Sequence, residues 1–182
     1  MTTYIAFLRG INVGGYHKVP MAELRAALET LQCENIVTLL NSGNIIFDSA
    51  IEDIWQLETD ISIHLEQIFG FSLPTILMNA KMIVGLVQND PFKDLKLTKY
   101  RRFYVSFLQN DPQIDLELPW KSEDGSFKII EIRDHTILSL LELSMGKTSI
   151  AMGILEQKFG KNLTTRNWNT IKRIRKKLEE RL

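Results

Sequence analysis

The sequence has one cysteine, Cys33, which excludes a disulfide within the chain and a thiolate-held metal cluster. Its three histidines, His17, His64 and His135, lie far apart, and none has a carboxylate or second histidine at ligand spacing, so no metal site is expected. No apolar run approaches the roughly 18 residues that a membrane-crossing helix needs. The opening Met1-Thr2-Thr3-Tyr4 leads straight into a short apolar stretch ended by Arg9, which is not a signal-peptide pattern. A cytoplasmic protein without membrane contact is the expectation. Net charge is also lacking: 22 basic and 22 acidic residues cancel, so the whole molecule has little power to steer polyanions.

What is present is apolar residue in quantity. Hydrophobic residues make up 45% of a 182-residue chain, enough for a packed core and against disorder. Tyr4 to Leu8 reads as a buried strand. Met21, Leu24, Leu28 and Leu31 fall at helical spacing behind Pro20, which suits a first helical turn. Ile36 to Leu40 and Ile45 to Phe47 read as strands joined by the tight turn Asn41-Ser42-Gly43-Asn44. Ile54, Leu57, Ile61, Leu65 and Ile68 mark a longer helix closed by Gly70, and Leu73 to Met78 a fourth strand.

That order, βαββαβ, predicts an α+β fold with a ferredoxin-like lobe over residues 1–78. A second, smaller α/β lobe with a basic C-terminal helix is expected over 79–182, sharing an interface with the first; one compact domain is the alternative. In it Lys81 to Val87 reads as helix, Phe103 to Leu108 as strand, and Phe127 to Ile132 with Thr136 to Leu141 as a hairpin. Pro112, Pro119 and Trp120 fall in a polar loop, and Ile150 to Phe159 has helical character. A last helix carries Trp168, Ile171, Ile174 and Leu178 on one stripe. From Arg166 onward seven basic residues face two acids, so the chain end is basic. No sequence repeat or flexible linker separates the halves.

Two polar loops should meet at one sheet edge. If the first and third strands are antiparallel neighbours, the loop Arg9-Gly10-Ile11-Asn12-Val13-Gly14-Gly15 lies beside Asn41-Ser42-Gly43-Asn44. Gly10, Gly14 and Gly15 permit close backbone approach to a ligand, with N–H groups free to form an anion nest. Arg9 offers a planar, permanently charged fork, and Asn12, Asn41, Ser42 and Asn44 offer donors and acceptors. The bland alternative is that the glycines serve tight turns and the amides bond neighbouring backbone.

A third element, Thr164-Thr165-Arg166-Asn167-Trp168-Asn169-Thr170, reads as a helix start. Its threonines would cap the helix, and Arg166 and Asn167 would sit in the first turn, where the dipole favours anions. No nucleotide motif is complete: Tyr16 stands where a P-loop needs lysine, and Asn12 where a dinucleotide fingerprint needs glycine. Gly146-Lys147-Thr148 copies only a P-loop's end and reads as a loop. Ser42 lacks a nucleophile-elbow context, and His17 is the one acid–base candidate near the corner. No cofactor is called for.

These segments also carry a resemblance. Tyr4 to Gly15, Lys18-Val19-Pro20-Met21-Ala22-Glu23-Leu24, the Asn41–Asn44 turn and the Thr164–Thr170 segment are together similar to the signatures of a bacterial family, domain of unknown function 1697. The match is loose between about Lys93 and Thr148. The sequence departs from the family at Gln32, where a helix-ending glycine is usual, and at Val37, where a basic residue is common. The resemblance implies an α+β fold with a ferredoxin-like portion and no established activity. Three readings stay open: a binder of a small phosphate- or carboxylate-bearing ligand at a corner formed by the Arg9–Gly15 loop, the Asn41–Asn44 turn and the Thr164–Thr170 helix start, with Arg9 and Arg166 neutralising the anion; a structural or regulatory interaction protein; and, less favoured, a nucleic-acid-binding module.

Overall fold

Strands and helices follow the apolar periodicities through most of the chain. A computed structural model describes residues 1–112 and 114–181; Gln113, in the polar loop, and Leu182, at the end of the basic stretch, lie outside the described residues. It shows a mixed α/β architecture with two antiparallel sheets and five helices among the described residues. The chain divides into two compact units, Met1–Gly85 with Lys176–Leu182, and Leu86–Arg175.

The first unit runs β1 (Thr2–Leu8), α1 (Met21–Thr30), β2 (Glu34–Leu39), β3 (Asn44–Ser49), α2 (Ile54–Phe69) and β4 (Thr75–Asn79). The strand order is β2-β3-β1-β4 with every neighbour antiparallel. Alternation sends Tyr4, Ala6, Leu8, Ile45, Phe47 and Leu77 to one face. There they meet Leu24, Ala27 and Leu28 of α1 and Leu57, Ile61 and Leu65 of α2. Asp53 caps α2 by accepting from the backbone N–H of Trp55 and Gln56, and Gly70 ends it in the left-handed region at φ 74°. Pro20 sits just outside α1, extended, rather than in its first turn. The buried Glu58 of α2 accepts from the N–H of Leu77 at 2.8 Å, fastening the helix to β4.

A third helix, α3 (Ala80–Asn89), carries the chain across the unit boundary. The second unit then runs β5 (Arg101–Leu108), β6 (Trp120–Lys121), β7 (Phe127–Arg133), β8 (Thr136–Glu142), α4 (Thr148–Phe159) and β9 (Leu163–Asn167). Its antiparallel order is β6-β7-β8-β5-β9. Ala151 and Leu155 of α4 pack on Tyr104, Leu108, Ile129, Ile137 and Leu141. Helix α5 (Trp168–Glu179) follows β9 directly, and its stripe of Trp168, Ile171, Ile174 and Leu178 is buried.

Three local readings are corrected. Thr164 to Asn167 is not a helix start: it pairs with Phe107 to Tyr104 as an edge strand, where β-branched threonines sit well, and the helix begins only at Trp168. Trp120 leaves the polar loop to form the short β6 against Ile129. Gly146 and Lys147 are loop, while Thr148 opens α4.

The second sheet repeats the first. Without β6, the order β7-β8-β5-β9 matches β2-β3-β1-β4, with α4 in the place of α2 and the β5–β7 connection in the place of α1. Each sheet's last strand runs straight into a helix behind an asparagine cap: Asn79 Oδ1 accepts from Lys81 N, and Asn167 Oδ1 from Asn169 N, both at 2.9 Å. The sequence shows no such repeat because the two units share topology and cap chemistry but not core residues.

Candidate functional site

In the first unit the antiparallel β1–β3 pairing brings the glycine loop to the asparagine turn. Phe7 faces Asn44, and Leu8 N–H donates to Gly43 O at 2.8 Å. Asn12 Nδ2 then reaches Asn41 O at 3.0 Å. The root of the loop, from Arg9 to Asn12, thereby lies beside the Asn41–Asn44 turn, while Gly14 and Gly15 form the loop's tip.

The backbone explains the residue types. Val13 and Tyr16 pair across Gly14 and Gly15, at φ 60° and 83°, a two-residue turn that only glycine fits easily. Val13 and Tyr16 project into solvent at the tip, 68% and 78% exposed. Asn12 is itself left-handed, at φ 55°, and its amide holds the loop's return: Val19 N–H donates to its Oδ1 at 2.9 Å and its Nδ2 donates to Val19 O at 3.2 Å. The Asn44 side chain is buried and donates to Leu39 O at 3.1 Å and Ser42 Oγ at 2.9 Å. His17 stacks on Phe71 at 4.5 Å between centroids. Arg9 is half-buried at the loop's root, while Asn41 and Ser42 are exposed.

Arg166 and Asn167 belong to the second unit. Arg166 pairs with Val105, and its Nη1 donates to Thr164 Oγ1 at 2.7 Å and Thr165 O at 3.0 Å. Burial pushes its guanidinium down to about 10, so it stays a cation at neutral pH. Asn167 lines a hollow of about 750 Å³ within this unit.

The wall of that hollow is basic. Lys93, Lys99, Arg101, Arg102 and Lys172 line it, with Asp90 as the one acid of the lining. Glu142 neutralises Arg101. Arg102 is steered by the main chain just before it, its Nη1 donating to Lys99 O at 2.9 Å and Arg101 O at 3.1 Å. The floor is aromatic: Phe92 stacks on Phe103 at 4.7 Å and meets Trp168 edge-on at 5.2 Å. The start of α5 contributes Asn167, Trp168 and Asn169, with the positive end of the helix dipole. Sequence reasoning assigned the basic character to the last helix and missed this wall. The signal was there, since residues 93–102 hold five basic residues and one acid.

Among the described residues no group of three or more His, Cys, Asp or Glu is placed to hold a metal ion, and no helix is long and apolar enough to cross a membrane.

Comparison with known proteins agrees with the fold and adds no chemistry. The family model described as protein of unknown function (DUF1697) matches residues 1–134. No curated protein matches the chain significantly. Among solved structures, the conserved bacterial protein SP0830 from Streptococcus pneumoniae is similar over 97% of this chain and 98% of its own, at 27% identity and a TM-score of 0.69.

Proposed function

We propose, for a chain that belongs to the DUF1697 family of proteins of unknown function, that it binds a small phosphate- or carboxylate-bearing ligand in the basic hollow of its second unit. One observation carries this reading: with Arg101 set against Glu142, four cations (Lys93, Lys99, Arg102 and Lys172) still surround the hollow against Asp90 alone. Like charges gathered around a concave surface repel one another, and an anion relieves that repulsion. Asn167 and Asn169 add side-chain amides at the start of α5.

Titration calorimetry with pyrophosphate, a sugar phosphate and citrate tests it. Arg102→Ala and Lys172→Ala should each weaken binding by about 3- to 10-fold, and the loss should shrink as salt rises. Absence of binding at millimolar anion, or affinities untouched in the double variant, would sink the reading. A single-stranded oligonucleotide in the same assay, if bound far more tightly and with a steep salt slope, would favour the nucleic-acid alternative.

The glycine-loop corner supports a second reading, as an interaction element. The amides of Asn12 and Asn44 bond main chain, and the hairpin they hold presents Val13 and Tyr16 outward. If Arg9, Gly10, Gly14, Gly15, Asn41 and Ser42 contact an anion there, Asn12→Ala should weaken its binding; if the corner only shapes the hairpin, that variant should lower Tm and leave anion affinity unchanged. We also read the first unit as ferredoxin-like, a reading supported by its strand order and by the helices that follow β1 and β3.

A further inference from the structure

Resting on the anion-binding reading, we propose that the ligand of the second unit's hollow is a nucleotide, its base against the apolar lining and its phosphates on the basic wall. Size is the first argument. A hollow of about 750 Å³ is in the range of sites for whole metabolites, far more than a bare phosphate or small carboxylate occupies. The second is the division of the lining. Leu95 and Leu97 stand over the packed, buried rings of Phe92, Phe103 and Trp168, an apolar part that an inorganic anion would have no use for and whose desolvation favours a flat organic ring. The third is the pair of amides between the two parts. Asn167 Oδ1 is committed to capping α5, which leaves its NH₂ as a donor. Asn169 is exposed and its side chain keeps both a donor and an acceptor, the combination that pairs in bidentate fashion with the amino and ring-nitrogen edge of adenine. Arg102, Lys93, Lys99 and Lys172 then face the phosphates.

The test compares ATP with tripolyphosphate, which has the charge without the base, by calorimetry on the full chain. ATP should bind at least about fivefold more tightly, because apolar burial of the base adds to the phosphate contacts. Asn169→Ala should reduce ATP affinity several-fold and leave tripolyphosphate unchanged. The substitution is at an exposed side chain, and circular dichroism confirms that the variant is folded. ATP should also quench the fluorescence of Trp168, read in a Trp55→Phe, Trp120→Phe background. Equal affinities for ATP and tripolyphosphate, or an Asn169→Ala variant that binds ATP normally, overturn the nucleotide while the anion site stands. Binding of neither overturns both.

Discussion

Ser139 is fully buried on β8 beside Tyr104 of β5, and its hydroxyl has no hydrogen-bond partner among the described residues. A hydroxyl removed from water without a partner costs about 1–3 kcal/mol. Ser139→Ala should therefore be neutral or stabilise by about 1 kcal/mol, read as a higher urea midpoint at constant slope. Gln32 has a related tension. It closes α1 in the left-handed region, φ 57°, where glycine is the unstrained residue, and Cys33 N–H bonds back to Leu28 O. Gln32→Gly should then stabilise by about 0.5–1 kcal/mol despite glycine's extra freedom when unfolded. Gly43 is the opposite case. Its φ is 72° and an added Cβ would lie 2.6 Å from the Cβ of Leu8, so Gly43→Ala should cost about 2 kcal/mol or more. Burial pushes the Cys33 thiol up to about 11 from its ordinary 9.0. The native protein holds that proton more tightly than the unfolded chain, so the thiol's contribution is intact below pH 9 and is lost as pH rises toward 11. Slow alkylation of native Cys33 at pH 8, and fast alkylation in urea, would bear that out. Residue types were legible in the sequence, but partners were not: nothing in the string distinguishes an asparagine that awaits a ligand from Asn12, which clasps Val19.

Elements were legible wherever one face is apolar at a single period. The helical spacing of Ile54, Leu57, Ile61, Leu65 and Ile68 and the Gly70 stop mark α2 within a residue at either end. Asp53→Ala, which removes the acceptor of two N–H groups, should lower stability by about 1 kcal/mol in thermal melts. The strand β9 escaped the same reasoning because Thr164-Thr165-Arg166-Asn167 has only polar side chains, and such residues before an apolar helical stripe look like a cap. Its strand character comes from the edge of β5, which no local pattern reports. The corner between β1 and β3 was legible because the βαββαβ order makes the first and third strands antiparallel neighbours. The basic hollow was not, since it joins residues 90–103 to 167–172 through that same β5–β9 pairing.

On the scale of the molecule, a net charge of zero conceals the concentration of cations around one hollow, and bulk electrostatics argued only against the steering of polyanions. The two-unit division has no linker behind it. The chain leaves the first unit within α3 and returns within α5, and the return matters to the first sheet. Arg181 pairs with Asp48 of β3 at 2.8 Å, and the same carboxylate accepts from Thr3 and Asn35. Both partners are largely shielded, with side-chain exposures of 18% and 16%. Arg181→Ala should thus cost about 1–3 kcal/mol, more than a surface pair, measured as a fall in Tm that added salt does not reproduce.

Because residues 176–181 belong to the unit begun by β1 and Arg181 pairs with its Asp48, a ribosome cannot finish the first unit before it has made the second. The nascent amino-terminal half must wait, its Asp48 uncompensated, until the last turn of α5 emerges. A premature stop near residue 175 would injure the part of the protein that was translated first.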